Sequence, residues 1–283
     1  MHFSSWLVSH FHQTRISRGL RKSPISPAAN YWWKRHQTRK FRQAMSNLPK
    51  LVHTEEGGSR PHPLLTHDDL QRGSGVTAEK GREFSLFMST HCETSKFREF
   101  GYEDVYGTLL CALSQKRGVL LELGIGHNDP KAPSGMAEGH KPGSSLTGWA
   151  KYFPLMEIHG ADIREEVLVD TDEYRTHYVD QRDPNSLRSL ASCFPNGLDI
   201  VIDDGLHTPE ANANVVSAFL PLVRPGGFLF IEDILPEFDS LWLSLPRCME
   251  NKISYVYFPG SSLRGGRTEG LAVFFRADVR SKP

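Results

Sequence analysis

Hydrophobic positions change their period partway along the chain. Between Ala78 and Gln115 the apolar residues Phe84, Leu86 and Phe87, then Val105, Leu109, Leu110 and Leu113, suit helices interrupted near FREFGYED. From Gly118 onward short apolar runs alternate with polar stretches. The runs are GVLLELGIG (118–126), EIHGADI (157–163), THYVDQRD (176–183), LDIVIDD (198–204), GGFLFIEDI (226–234), ISYVYF (253–258) and LAVFFRA (271–277). Short runs rich in β-branched and aromatic residues, bounded by turn residues, predict buried strands. A helix is predicted to begin at Thr208-Pro209, where a hydroxyl cap precedes a proline in the first turn. Strands alternating with helical segments predict an α/β protein with a doubly wound, mostly parallel seven-stranded sheet. The last pair of runs, joined by the loop PGSSLRGGRTEG, supplies a C-terminal antiparallel strand.

Ahead of this pattern, EEGGSRPHPLLTHDDLQRGSG (55–75) has the composition of a linker. The chain divides into a basic, flexible N-terminal extension or targeting segment with its linker (1–76) and one folded domain (77–283). Charge sharpens this division. Lys plus Arg and Asp plus Glu both number 33, yet ten of the basic residues precede the first acid, Glu55. Three readings of residues 1–54 stay open: an unstructured extension, an organelle-targeting presequence, and a basic arm for an anionic partner such as nucleic acid. No apolar stretch reaches the roughly 18–20 residues of a membrane span, so no membrane partner is expected. Cys92, Cys111, Cys193 and Cys248 lack the spacing of a zinc site and read as reduced thiols of a cytoplasmic protein.

In a doubly wound sheet, ligands sit beyond the carboxyl ends of the strands, and here successive strands end in acids. Glu122, Gly124 and Gly126 follow the first strand; the glycines let backbone turn sharply and approach a ligand. Position 129 is Asp, so the third glycine of a dinucleotide fingerprint is missing, which disfavours the rival reading of a nicotinamide-dependent oxidoreductase. Asp162 ends the second strand, where a carboxylate accepts from ribose hydroxyls. Asp180 and Gln181 end the third, where Gln181 offers a donor and an acceptor to an adenine edge. Glycine loop, ribose acid and adenine acid, in that order, describe S-adenosylmethionine binding. The fourth strand ends in IVIDDGLH, placing Asp203, Asp204 and His207 together, and the fifth ends in Glu232-Asp233. Four acids on one edge repel each other unless a cation, a proton or basic residues compensate them.

With these residues assembled, the chain resembles the class I, Rossmann-like methyltransferases. More narrowly, it resembles the metal-dependent sugar O-methyltransferases of the macrocin and mycinamicin type. The resemblance rests on GYEDVYGTLL (101–110), LLELGIG, GSSLTGWAKYFP (143–154), IHGADI, VDQRDPNSL (179–187), IVIDDGLH and VRPGGFLFIEDI (223–234), and spans about residues 100–234. It implies that 77–283 is a class I methyltransferase domain and that Ser145 joins Glu122, Gly124, Gly126, Asp162, Asp180 and Gln181 in holding S-adenosyl-L-methionine. It implies further that Asp204, Glu232 and Asp233, with Asp203 adjacent, hold Mg²⁺. His207 would be the general base, and Asp204 would serve the reaction as well as the metal. The acceptor would be a hydroxyl of a sugar or glycosylated natural product, and a homo-oligomer fits the group. The chain departs from the pattern in its longer loop from His127 to Pro142, in Leu206 where a small residue is usual, and in its basic leader.

Overall fold

The computed structural model describes residues 27–46, 75–92, 102–127, 141–245, 248–249, 253–260, 263 and 269–276. Among the described residues, three helices precede the sheet: α1 (Pro27–Ser46), α2 (Gly75–His91) and α3 (Glu103–Leu110). The strands are β1 (Gly118–Leu123), β2 (Met156–Asp162), β3 (Arg175–Tyr178), β4 (Leu198–Asp203), β5 (Val223–Ile234), β6 (Cys248–Met249), β7 (Ile253–Phe258) and β8 (Gly270–Arg276). Between them lie α4 (Ser144–Tyr152), α5 (Pro184–Ser192), α6 (Pro209–Phe219) and the short α7 (Asp239–Leu243). The sheet order is β3-β2-β1-β4-β5-β8-β7-β6. Strands β1 to β5 pair in parallel, while β8 runs antiparallel to both β5 and β7. All seven expected strands form, and the two-residue β6 adds an edge rung to β7.

Strand pleating sorts the core into two layers. Leu120, Ile200, Ile202, Phe228 and Phe230 face Phe84, Tyr102, Tyr106 and Trp149 of the α2, α3 and α4 side. Leu121, Leu123, Val201, Leu229 and Ile231 face Leu187, Ala213, Val216 and Trp242 of the α5, α6 and α7 side. Helix starts follow local chemistry: Asp183 caps α5 through the Asn185 amide and Thr208 caps α6 through the Ala211 amide, each followed by proline.

Helix α1 departs from the expected appendage. Its Trp33, Gln37 and Phe41, spaced one turn apart, are buried, with Trp33 against Phe238 (ring centroids 5.6 Å) and Phe41 against Trp242 (5.0 Å). Burying two such rings contributes on the order of 2–3 kcal/mol each. The buried positions are interleaved with Lys34, Arg35, Arg39, Lys40 and Arg42, so composition marked the segment as basic although one face is core. Lys40 and His36 lie 3.2 and 3.6 Å from the Glu210 carboxylate of α6. The rest of the extension and the linker, residues 1–26 and 47–74, lies outside the described residues. Among the described residues no helix is long and apolar enough to cross a membrane.

Candidate active site

The carboxyl ends of β1, β4 and β5 meet at one place. Gly124 turns the chain after β1 with φ +85°, and its amide donates to the Ala161 carbonyl. A Cβ there would lie 2.2 Å from the Asp204 carbonyl oxygen and 2.6 Å from the Gly205 Cα. The glycine is therefore demanded by the acid loop after β4 as well as by its left-handed backbone. The Asp204 amide closes the contact by donating to the Leu123 carbonyl at 2.9 Å. Gly126, the second glycine of the turn, also has positive φ (+82°).

Asp162, buried at the end of β2, accepts from the Ile125 amide at 3.1 Å through one carboxylate oxygen and from the Arg164 amide at 3.0 Å through the other. It thereby supports the glycine turn, and its position beside that turn suits the predicted ribose. Glu122 is fully buried; it accepts from the Ser145 hydroxyl at 2.7 Å and from the Trp149 indole at 3.1 Å. Ser145 thus contributes to this corner by holding Glu122. Asp180 pairs with Arg182 through two 2.9 Å contacts.

Gln181 does not stand where an adenine reader was expected. Its carboxamide donates to Asp203 Oδ1 at 2.6 Å and accepts from the Leu206 amide at 2.7 Å. A Cβ on Gly205 would lie 2.2 Å from the Gln181 oxygen, so a glycine there lets the carboxamide reach in. Gln181 is a brace between the loops after β3 and β4.

The four-acid expectation narrows in the same way. Asp203 is fully buried, and it accepts from Gln181, from the Asn212 carboxamide at 2.9 Å and from the Gly205 amide at 3.3 Å. Burial pushes its carboxyl up from the usual range, opposed by the Asn212 and Gln181 donors. Glu232 is 1% exposed and accepts from the Tyr106 hydroxyl on the opposite face of the sheet. Burial and the Glu232 carboxylate together push the Tyr106 phenol well above its ordinary value, keeping it a donor. Neither Asp203 nor Glu232 joins the cluster able to hold an ion. Asp203 and Glu232 have odd and even places on β4 and β5, and strand pleating sends them to opposite layers.

The cluster consists of Asp204, His207 and Asp233, with one ligand atom from each lying within 4.8 Å of the others. All three are half-buried, and His207 Nε2 lies 4.0 Å from Asp204 Oδ1. Both His207 (φ +53°) and Asp233 (φ +52°) adopt left-handed backbone, unfavourable for side-chain-bearing residues and held by surrounding structure. For Asp233 the cause is a β-bulge. Ile231 pairs with Ala272 and Ile234 with Gly270, so β5 uses three steps where β8 uses two. The extra residue re-aims the chain at the rim of the site.

The donor set fits a divalent cation. Two carboxylates from neighbouring strand ends offer hard oxygens, and an imidazole stands beside them. His207 turns Nε2 toward the Asp204 carboxylate, while its buried Nδ1 has no hydrogen-bond partner among the described residues. Sequence reasoning missed the scaffold around this cluster: Tyr102, Tyr106, Asn212 and Trp149. The tyrosines sit one helical turn apart in GYEDVYG, the available signal. The remainder of the long loop, residues 128–140, lies outside the described residues.

Residues 135–234 match the model of a methyltransferase domain. Solved structures of the MycE methyltransferase from the mycinamycin biosynthetic pathway, in complex with Mg and S-adenosylhomocysteine, share the fold. One has a TM-score of 0.50 at 22% identity and covers 85% of this chain and 72% of that chain. The fold is that of a class I methyltransferase. Among curated relatives of this methyltransferase domain, the demethylmacrocin O-methyltransferase of Streptomyces fradiae is 36% identical over 201 residues, 66% of this chain and 45% of that protein. The mycinamicin VI 2''-O-methyltransferase of Micromonospora griseorubida is 36% identical over 115 residues, 41% of this chain and 27% of that protein. The chain spans less than half the length of the curated relatives it matches.

Proposed function

We propose that the chain is an S-adenosylmethionine-dependent, Mg²⁺-assisted O-methyltransferase acting on a sugar hydroxyl of a glycosylated small molecule. The observation that carries this reading is the Asp204–His207–Asp233 cluster packed directly against the glycine turn after β1. That adjacency suits a reaction in which a sulfonium methyl group and an oxygen nucleophile must meet in line. Relatives named as O-methyltransferases of a rhamnosyl tetracenomycin-C and of an olivosyl-oleandolide support the acceptor class.

In this reading Asp204 and Asp233 would hold Mg²⁺, which when bound would supply a charge that makes an acceptor hydroxyl more acidic. His207 accepts the hydroxyl proton at Nε2 as the oxygen forms its bond to the methyl carbon. The methyl–sulfur bond breaks, the electron pair stays on sulfur, and S-adenosylhomocysteine is released. Gly124 and Gly126 would let backbone approach the methionine part of the cofactor, and Asp162 would accept from its ribose hydroxyls. Asp203, Gln181 and Glu232 act as scaffold. A cytoplasmic setting accords with Cys92, Cys111 and Cys193 carried as free thiols.

The test is label transfer from S-adenosylmethionine to demethylmacrocin and mycinamicin VI as probe acceptors. Transfer should stop with EDTA, return with Mg²⁺, and fall by about 10²–10⁴-fold in His207→Ala. Cofactor binding, followed by calorimetry, should survive in that variant. Full-rate transfer after chelation would overturn the metal assignment, and failure to bind S-adenosylmethionine would overturn the whole reading.

A further inference from the structure

We infer that Tyr102 is the positioning residue that sets the Asp233 carboxylate for a divalent cation; this rests on the metal reading of the cluster. The bulge that aims Asp233 interrupts the β5–β8 register between Ile231 and Ile234. A bulged residue leaves the regular ladder, and its amide needs another acceptor. The Tyr102 hydroxyl supplies one: the Asp233 amide donates to it at 3.0 Å. The same hydroxyl donates to Asp233 Oδ1 at 2.9 Å, and the Gly270 carbonyl of β8 lies 3.4 Å away. One phenol oxygen therefore ties the backbone and the side chain of Asp233 together at a left-handed φ of +52°.

Tyr102 itself cannot wander. It is 1% exposed, stands immediately before α3 and packs in the core layer of Phe84 and Trp149. One turn on, Tyr106 does the corresponding task for Glu232. The start of α3 thus presents two phenols to two consecutive acids, and the Tyr102 phenol bonds the acid that belongs to the cluster. A hydroxyl bonded to one carboxylate oxygen restricts rotation of the group and so fixes the direction of the carboxylate. Neighbours of this kind typically change metal affinity by about 10–100-fold when removed.

The experiment is calorimetric titration of the full chain, saturated with S-adenosylhomocysteine, with Mg²⁺ and with Mn²⁺. Tyr102→Phe should weaken metal binding by about 10–100-fold while the S-adenosylhomocysteine affinity stays within about twofold. Combined with Asp233→Asn it should weaken binding no further than Asp233→Asn alone, because the tyrosine acts through that acid. Unchanged metal affinity in Tyr102→Phe, or equal loss of metal and S-adenosylhomocysteine binding, would overturn the inference. The wild-type chain gives a second readout if Tyr102→Phe does not fold. Mg²⁺ addition should shift the near-ultraviolet tyrosine absorption, and the shift should survive in Tyr106→Phe; no shift would overturn the inference. A wild-type chain that binds neither ion would instead bring down the metal reading beneath it.

Discussion

The ends of β4 and β5 carry similar pairs of acids, and each pair is split between two tasks. On β4, Asp203 is fully buried among Gln181, Asn212 and the Gly205 amide, whereas Asp204 is half-buried in the cluster. On β5, Glu232 is buried against Tyr106, whereas Asp233 joins the cluster. The two ends reach this outcome by different means. After β4 the chain turns through Gly205 to a left-handed His207 and a capped helix, and the brace comes from the α6 layer. At β5 the strand continues through a bulge, and the brace comes from α3. The lesson is that an acid's place relative to the last regular pleat decides its role, while its proximity in sequence to another acid does not.

The comparison breaks most visibly under substitution of the acids themselves. Asp204→Asn and Asp233→Asn should each lower methyl transfer by at least about 10²-fold, with melting temperatures near that of the wild type. Asp203→Ala should do the reverse in stability, costing about 2–5 kcal/mol because it strands the Gln181 and Asn212 carboxamides. Denaturant unfolding alongside label transfer reads both. A stable Asp203→Ala with an unfolded Asp204→Asn would invert the assignment. Next in size, Gly124→Ala should destabilise by about 1–3 kcal/mol through its backbone alone. The new Cβ also meets the Asp204 carbonyl, so metal affinity should fall with it in a titration.

A smaller effect sharpens the β4 side. The Glu210 amide at the start of α6 donates to the buried Gln37 of α1 at 3.2 Å, beside the Thr208 cap. Gln37→Ala removes a helix-cap acceptor and should cost about 1 kcal/mol in chemical unfolding. No loss would show that α1 does not support this strand end. The smallest effect must be separated from any pH scan of the acids. His159 and His177, 2.9 Å apart on β2 and β3, are both held below the usual histidine value, chiefly by burial. The unfolded chain takes up protons below about pH 6.5 that the folded pair refuses, so stability is complete above that pH and is lost as pH falls toward the folded values. The pair is partly solvated, which keeps the expected drop in melting temperature to a few degrees between about pH 7.5 and 5.5. His177→Gln should reduce that drop; an unaltered slope would assign it to other groups.

Much of the fold was legible because its signals are local. The apolar runs marked every long strand, and Thr208-Pro209 marked a helix start that the structure reproduces. Helix α1 was not legible as core, since Trp33, Gln37 and Phe41 are diluted by five basic residues on its other faces. The candidate site was half legible. Asp204, His207 and Asp233 were among the residues expected there, but Gln181 was assigned to a ligand and serves Asp203 instead. Tyr102 and Asp233 are 131 positions apart, so no local pattern could join them.

Chain chemistry alone therefore determined the order of strands and helices, the placement of acids at strand ends and the glycine turn beside them. Those properties follow from periodicity and turn preference, which neighbouring residues impose on one another. Only tertiary structure decided which acid of each pair faces the cluster. That choice depends on one extra residue in β5 against β8, on a phenol at the start of α3 and on carboxamides delivered by the loop after β3 and by α6. Cross-strand register and long-range hydrogen bonds exist only once the sheet has closed around them.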